Sequence, residues 1–490
     1  MRVLIHAVIY LPLVAAVLLL LIPKTATTAL KGIALAATIV TFVLSLGFLE
    51  SGAGGISYVH PWIGGAIGAL YHVRVDGWSL FFVLLTTFVS VPAIWAAFSY
   101  ADASRLRGYL GLLLAFEWTL LGLFTAGDLL LFYVYWDLML VPVFLLLVGY
   151  ADTPQARRAA WGYLLYNGAG GLVLLLGVVG LVISSHTFEV LGHSYAIAPP
   201  AQAWLFAAFA LAFLIKTPVF PFHAWLPATY TYAPPPVVAM VSAVQSKAGL
   251  YGLIVFALPL FPQAAHRFAP ALLVLAVVSI VYGALTALGQ DDAKTLVAFS
   301  SLSHLGLVIL ALFSFAAIAV PASIVMIAGH GVIVAALFLL LGFIEERTGT
   351  RDLSTLGGLA AVAPRLAVFM LIAAMAALGL PGLASFSGEF LIFIGAWQTQ
   401  PVYTAIALVA VVLASVYMLK MFQGIVNGAL PTFKDRRHGT AGMELNAREI
   451  AIVAPLVAAM FFIGLWPAWI NARSPASSLA AAALHEETAP

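Results

Sequence analysis

The 490-residue chain is 63% hydrophobic and 8% charged, with a mean hydropathy of +1.09 and a formal net charge of +2. That apolar content lies far above a soluble domain's and describes a polytopic membrane protein, while the near-neutral charge leaves no footprint for nucleic acid. The chain has no cysteine, which excludes disulfides, thiolate metal sites and cysteine-held iron–sulfur clusters.

Fourteen runs long enough to cross a ~30 Å hydrocarbon core are predicted. They lie near 3–22, 29–48, 77–99, 107–126, 128–150, 161–184, 203–231, 235–258, 269–289, 294–318, 321–344, 366–398, 401–427 and 449–470. The first, from Leu4 to Ile22 behind Arg2, is too long for a signal-peptide core and reads as a transmembrane helix. The fourth and fifth flank the turn "TAGD", and each carries an acid ten residues from Gly127: Glu117 before it, Asp137 after it. At ~1.5 Å per residue both carboxylates lie about 15 Å from the turn, at one depth. The seventh span contains "LIKTPVFPFHAWLP", where Pro218 and Pro221 break the helix between Lys216 and His223. Lys247 stands in the middle of the eighth, in "VQSKAGLYG", and His304 and His330 in the tenth and eleventh. The twelfth reads "ALGLPGLASFSGEF", with a break at Pro381 and Gly382 followed by Glu389.

The two broken spans are five apart, which predicts an all-α membrane fold of two inverted five-helix repeats, a plan known from transporters. The repeats cover 107–258 (spans four to eight) and 259–430 (nine to thirteen), after an N-terminal segment 1–106 and before a loop, helix and tail at 431–490. Lys and Arg placement orients the chain. Fourteen basic residues fall in the loops of one side, from Lys24 to Arg448, and four on the other, Arg2, Arg74, Arg267 and Arg473. Both termini are therefore expected outside the cytoplasm.

A charge at the bilayer centre costs ~2.5–3.5 kcal/mol on insertion scales, so each buried ionisable group calls for a role. Glu117, Asp137, Lys216, His223, Lys247, His304, His330 and Glu389 read as a lateral row of proton carriers, with Lys216 the counter-charge of Asp137. Blander readings stand beside this one. Lys420 snorkels to an interface, Asp128 caps a helix, and His223 satisfies backbone groups freed by the prolines. Asp291, Asp292, Glu345 and Glu346 lie in loops and need only water. The paired histidines suit haem, but haem leaves two lysines and three carboxylates without explanation. Neither G-x-G-x-x-G nor G-x-x-x-x-G-K occurs, so no nucleotide site is expected.

At these residues the chain resembles the antiporter-like subunits of respiratory complex I and their relatives in multisubunit cation/proton antiporters and membrane-bound hydrogenases. The resemblance is carried by "VDGWSLFF" (75–82), "GDLLLFYVYWDLMLVP" (127–142), "IKTPVFPFHAWLP" (215–227), "SKAGLYG" (246–252), "DDAKTLVAFSSLSHLG" (291–306), "AGHGVIVAALF" (328–338) and "GLPGLASFSGEF" (379–390), in family order. It implies that Lys216 is the proton-handling lysine of the broken seventh helix, Lys247 its partner, and His304 and His330 members of a central axis. An acid in the broken twelfth helix, Glu389, resembles the M-type subunit, counterpart of mitochondrial NADH dehydrogenase chain 4; other antiporter-like subunits have lysine there. The family implies a non-redox, proton-translocating subunit of a bacterial NADH:quinone oxidoreductase in the cytoplasmic membrane. NADH, flavin, iron–sulfur clusters and quinone would be held by other subunits, with further antiporter-like subunits as neighbours. The alternative is a subunit of a sodium/proton antiporter or hydrogenase complex. Two departures stand out. Asp137 replaces the usual glutamate, and "ATYTYAPPP" follows "HAWLP" where the family has Asp-Ala-His.

Overall fold

In hydrocarbon every peptide N–H and C=O must be bonded internally, so apolar runs become helices and any break needs a substitute partner. The computed structural model describes residues 2–50, 55–64, 68–151, 153–189, 197–429 and 442–473. The first half runs α1 (Arg2–Leu21), α2 (Thr27–Leu46), strands β1 (Ile56–Ile63) and β2 (Ala69–Val75), α3 (Ser79–Ala96), α4 (Ala103–Thr125), α5 (Leu129–Leu138), α6 (Leu140–Tyr150) and α7 (Pro154–Ser185). Then come α8 (Pro199–Lys216), α9 (Trp225–Tyr232), α10 (Pro235–Ala243), α11 (Ala248–Gly252), α12 (Leu258–Leu260), α13 (Pro262–Leu288) and α14 (Ala293–Phe313). The chain ends with α15 (Ala319–Thr348), α16 (Leu359–Val362), α17 (Pro364–Ala377), α18 (Ala384–Thr399), α19 (Pro401–Val426), α20 (Ala447–Leu465) and α21 (Ala468–Asn471).

Thirteen helical stretches among the described residues are long and apolar enough to cross a membrane, and the shorter apolar α17 continues past a break into α18. The expected spans and both expected breaks are there. Packing divides the chain into two compact units. One holds the described residues of Met1–Pro218 and Val244–Ala271 with Arg473, the other those of Val219–Ala243 and Leu272–Ala472. The chain passes from one to the other after Pro218, at the break that ends α8. Three basic residues used to orient the chain, Lys434, Arg436 and Arg437, lie outside the described residues.

Two features go beyond the sequence reading. The connection from α2 to α3 carries an antiparallel hairpin, β1 against β2, pairing His60 with Tyr71 and Val59 with His72. It is tied to the α4–α5 turn: Gly127 N–H donates to the His72 carbonyl (2.7 Å), and Leu70 N–H donates to Asp128 (3.1 Å). Asp128 also caps α5 through Leu130 N–H and Leu131 N–H, as its place after the turn suggested. Any side chain at Gly127 would meet the His72 ring at 2.7 Å. The eighth span, read as one continuous helix, is irregular. α10 ends at Ala243, a 3₁₀ turn covers Gln245–Lys247, and a π turn at Leu253–Ala257 separates α11 from α12.

His72 is buried, with Ser57 Oγ at 2.9 Å and Glu189 at 3.4 Å. Burial pushes its imidazole down from the usual value, and the Glu189 carboxylate offsets this only in part. The neutral ring therefore favours the folded hairpin. That contribution is complete above the unfolded value of about 6.5 and is lost as pH falls through it toward the lower folded value. Hydrogen exchange checks this: the protection factor of the Gly127 amide should fall between pH 7.5 and 5.5, and not in His72→Gln. Equal protection at both pH values would refute it.

The acids expected in loops differ from that expectation: Glu345 and Glu346 belong to the last turns of α15, and Asp291, Asp292 and Glu345 have partners besides water. Asp292 caps α14 through Thr295 N–H (2.9 Å) and pairs with Arg351, which also meets Glu345 (3.1 Å). Glu345 in turn holds Lys294, 2% exposed, at 2.6 Å. The start of α14 and the end of α15 lie close enough for these charges to pair, with Lys294 buried and its partners still partly open to solvent. Lys420 reaches the Leu288 and Gln290 carbonyls at the end of α13 and Asp291 (3.2 Å), so it serves a helix terminus, as a snorkelling lysine would.

Candidate functional site

In the first unit Pro218 supplies no N–H for the Leu214 carbonyl, and α8 stops at Lys216. The Lys216 side chain is 1% exposed, and its Nζ has no hydrogen-bond partner among the described residues. It lies 4.8 Å above the centre of the Trp136 ring. A desolvated ammonium over an indole gains ~2 kcal/mol. Trp136 is itself fixed, with Phe213 at 5.4 Å and Phe132 at 5.6 Å between ring centres.

The ion pair expected between Asp137 and Lys216 is not formed. Asp137 sits at the end of α5, where Pro142 removes the donor for the Leu138 carbonyl and α6 begins afresh. Its carboxylate accepts from the Tyr133 hydroxyl one turn earlier and feels Lys216 only through space. Gly171 of α7 makes room for it; a Cβ there would lie 2.1 Å from Oδ1. Asp137 bonds to the tyrosine, and the tryptophan before it faces the lysine instead. That partner was present in "YWD", but sequence spacing does not show which side chain faces α8.

Lys247 is fully buried in its 3₁₀ turn and donates to Ser246 Oγ (3.3 Å). Two residues on, Gly249 lies so close to α8 that a Cβ would sit 2.2 Å from the Phe213 carbonyl oxygen and 2.4 Å from Thr217 Oγ1. Only glycine allows α11 to pack there. Glu117 is fully buried on α4, and neither carboxyl oxygen has a hydrogen-bond partner among the described residues. It lies eight residues from the end of α4, and Asp137 eight from the start of α5, about 12 Å each along the helix, in keeping with the shared depth.

The second unit brings three predicted residues together. α17 ends at Ala377, and the chain crosses a short break in which Gly379 (φ 85°) and Gly382 (φ 91°) take left-handed conformations before α18. Glu389, in the second turn of α18, accepts from Ser385 and lies 3.4 Å from His304 Nε2. A Cβ at Gly379 would come within 2.9 Å of its other oxygen. His304 Nδ1 is 2.8 Å from the Ser300 carbonyl, an acceptor only, so Nδ1 carries a hydrogen and Nε2 is the nitrogen that faces the acid. The His330 ring stands 5.2 Å from His304. A small cavity is lined by Ser300, His304, His330 and Ser385 together with Ile333, Val334, Leu337 and Ala377.

His223 joins neither group. It lies between α8 and α9, half-buried, with its ring 5.2 Å from Tyr282 and 5.7 Å from Phe220. Nor does its ring carry the backbone repair suggested for it at Phe220, whose N–H is satisfied by Ser279 Oγ (2.9 Å). Among the described residues no three His, Asp or Glu side chains are grouped as metal ligands.

Known proteins match this arrangement along most of the chain. The family model described as NADH:quinone oxidoreductase/Mrp antiporter, TM, covers residues 126–415. NADH-quinone oxidoreductase subunit M of Mycobacterium tuberculosis is 34% identical over 93% of this chain and 90% of its own length. A chain of respiratory complex I from Thermus thermophilus superposes with a TM-score of 0.86 at 33% identity, over 98% of this chain and 99% of that one. A chain of the Mrp complex from a Dietzia species shares the fold, with a TM-score of 0.87 at 24% identity over 100% of this chain and 98% of the other.

Proposed function

The chain belongs to the antiporter-like membrane subunits of the NADH:quinone oxidoreductase/Mrp family, of M type, and from that premise we propose that it carries protons across the bacterial cytoplasmic membrane as a non-redox subunit of complex I. Quinone reduction on other subunits drives it, and NADH, flavin, iron–sulfur clusters and quinone stay with those subunits. The observation that carries the reading is that Lys216, Lys247 and Glu389 each sit buried beside an interruption of a membrane helix. There, freed backbone groups favour water and a titratable group can gain and lose a proton. Lys216 and Lys247 serve in the first unit, and His330, His304 and Glu389 in the second, working in series from the cytoplasm outward. Asp137 acts on the first centre through space, Glu117 holds a second carboxyl at matching depth, and a neighbouring antiporter-like subunit acts through Asp137. Two inverted repeats, 107–258 and 259–430, underlie the similar design of the two centres. The excess of basic loop residues on one side supports placing both termini outside.

Composition of the native complex tests the assignment. A tag on this chain should recover, by mass, the NADH- and quinone-reacting subunits together with NADH:quinone activity. Recovery of small cation-antiporter subunits alone would overturn it in favour of a sodium/proton antiporter.

A further inference from the structure

The lysine of the first centre faces a ring and not a base. Lys216 Nζ stands 4.8 Å above the Trp136 ring centre and has no hydrogen-bond partner among the described residues. Trp136 is fully buried near the end of α5. Phe132, one turn back on the same helix, and Phe213, one turn before the lysine on α8, lie against its ring. The indole N–H is also without a hydrogen-bond partner among the described residues. A buried unpaired N–H is unfavourable, and phenylalanine at this place would avoid it. What tryptophan adds over phenylalanine is its face, the strongest cation-binding π surface of any side chain. Asp137 follows on the same helix, but its carboxylate bonds to Tyr133 and reaches the lysine only through space. The difference matters chemically. A carboxylate at hydrogen-bond distance in a dry site is a base able to take the ammonium's proton, whereas a ring face attracts the cation and offers no basic lone pair.

We propose that Trp136 is a positioning residue for proton transport: its ring face holds Lys216 as the ammonium and keeps the proton on the lysine between uptake and release. The attraction acts on the ammonium and not on the neutral amine, so it is gained when a proton arrives and lost when it leaves. It governs how firmly the proton is kept, as distinct from the route by which it comes or goes. This role rests on the proton-carrying function proposed above for Lys216.

Fluorine on an indole withdraws charge from the ring face and leaves its shape nearly unchanged. Mono-, di- and tetrafluorotryptophan in place of Trp136 in the intact complex therefore separate attraction from packing. NADH-driven vesicle acidification per assembled complex should fall stepwise along the series, to a limit of about thirtyfold where an attraction of roughly 2 kcal/mol is lost. The same series at Trp78, buried just ahead of α3, should leave acidification unchanged. Trp136→Phe, which keeps a ring face, should retain more pumping than Trp136→Leu, which keeps none. Equal pumping along the fluorinated series, or an equal fall at Trp78, would overturn the role of the ring face, as would Trp136→Leu pumping as well as Trp136→Phe. Lys216→Ala tells this failure from that of the underlying reading. If Lys216→Ala loses pumping while the fluorinated series does not, Lys216 carries protons and Trp136 only packs against it; if Lys216→Ala pumps normally, the proton-carrying reading itself fails.

Discussion

Lys216→Ala is expected to abolish NADH-driven acidification of sealed vesicles while the complex still assembles. A positioned proton carrier contributes roughly 10²–10⁴ in rate, so pumping should fall by at least about a hundredfold. Assembly survives because Asp137 is held by Tyr133 and not by the lysine. Removing Lys216 therefore leaves no newly unpaired carboxylate, only a gap above Trp136 that costs about 2–3 kcal/mol, as other large-to-small core changes do. Lys216→Arg separates charge from proton exchange. A guanidinium keeps the stacking on Trp136 but does not release its proton in a protein, so this variant should also fail. Acidification is measured per complex, with NADH oxidation by an artificial acceptor as the assembly control. Near-normal pumping by Lys216→Ala would remove Lys216 from the route.

Glu389→Gln should impair pumping to a similar degree, because it keeps the shape of the side chain and removes its exchangeable proton. The contact at stake is the 3.4 Å approach to His304 Nε2, supported by Ser385. An amide there still bonds to Ser385, so the fold is expected to hold. Glu389→Lys is the informative companion, since lysine stands at this place in the resembling sister subunits. It restores a titratable group beside His304 but repels an imidazolium, and partial pumping is the expected result. Parent-like acidification by both variants would reduce Glu389 to a structural group at the end of the break.

The helices and breaks were legible in the sequence because the bilayer makes them one-dimensional. Length and apolarity define a span, and "TPVFP" and "GLPGL" declare where one must open. Depth was legible too, since Glu117 and Asp137 count equally from Gly127. Direction around the helix axis was not. Whether Asp137 or Trp136 faces Lys216 depends on how α5 packs against α8, and the end of α5 ahead of Pro142 decides it. The same blindness hid the pairing of Lys294 with Glu345, which sit on different helices and meet only once α14 and α15 pack. The hairpin was missed for another reason. Its alternating "ISYVHPWI" and "ALYHVRV" lie in a connection between spans, where helix length is no guide.

The bond from His304 Nδ1 to the Ser300 carbonyl also bears on how this imidazole is able to work. A histidine that relays by turning its ring must free both nitrogens, taking a proton at one and giving it up at the other. His304 has one nitrogen committed to a backbone acceptor on its own helix, one turn back, so rotation would strand a buried carbonyl. It is a carrier with a single door: whatever proton it takes at Nε2 must leave from Nε2. The sense of travel then cannot be set by the histidine. It falls to the group at that door, Glu389, whose helix begins at a glycine-hinged break, to decide whether the proton is offered or withdrawn.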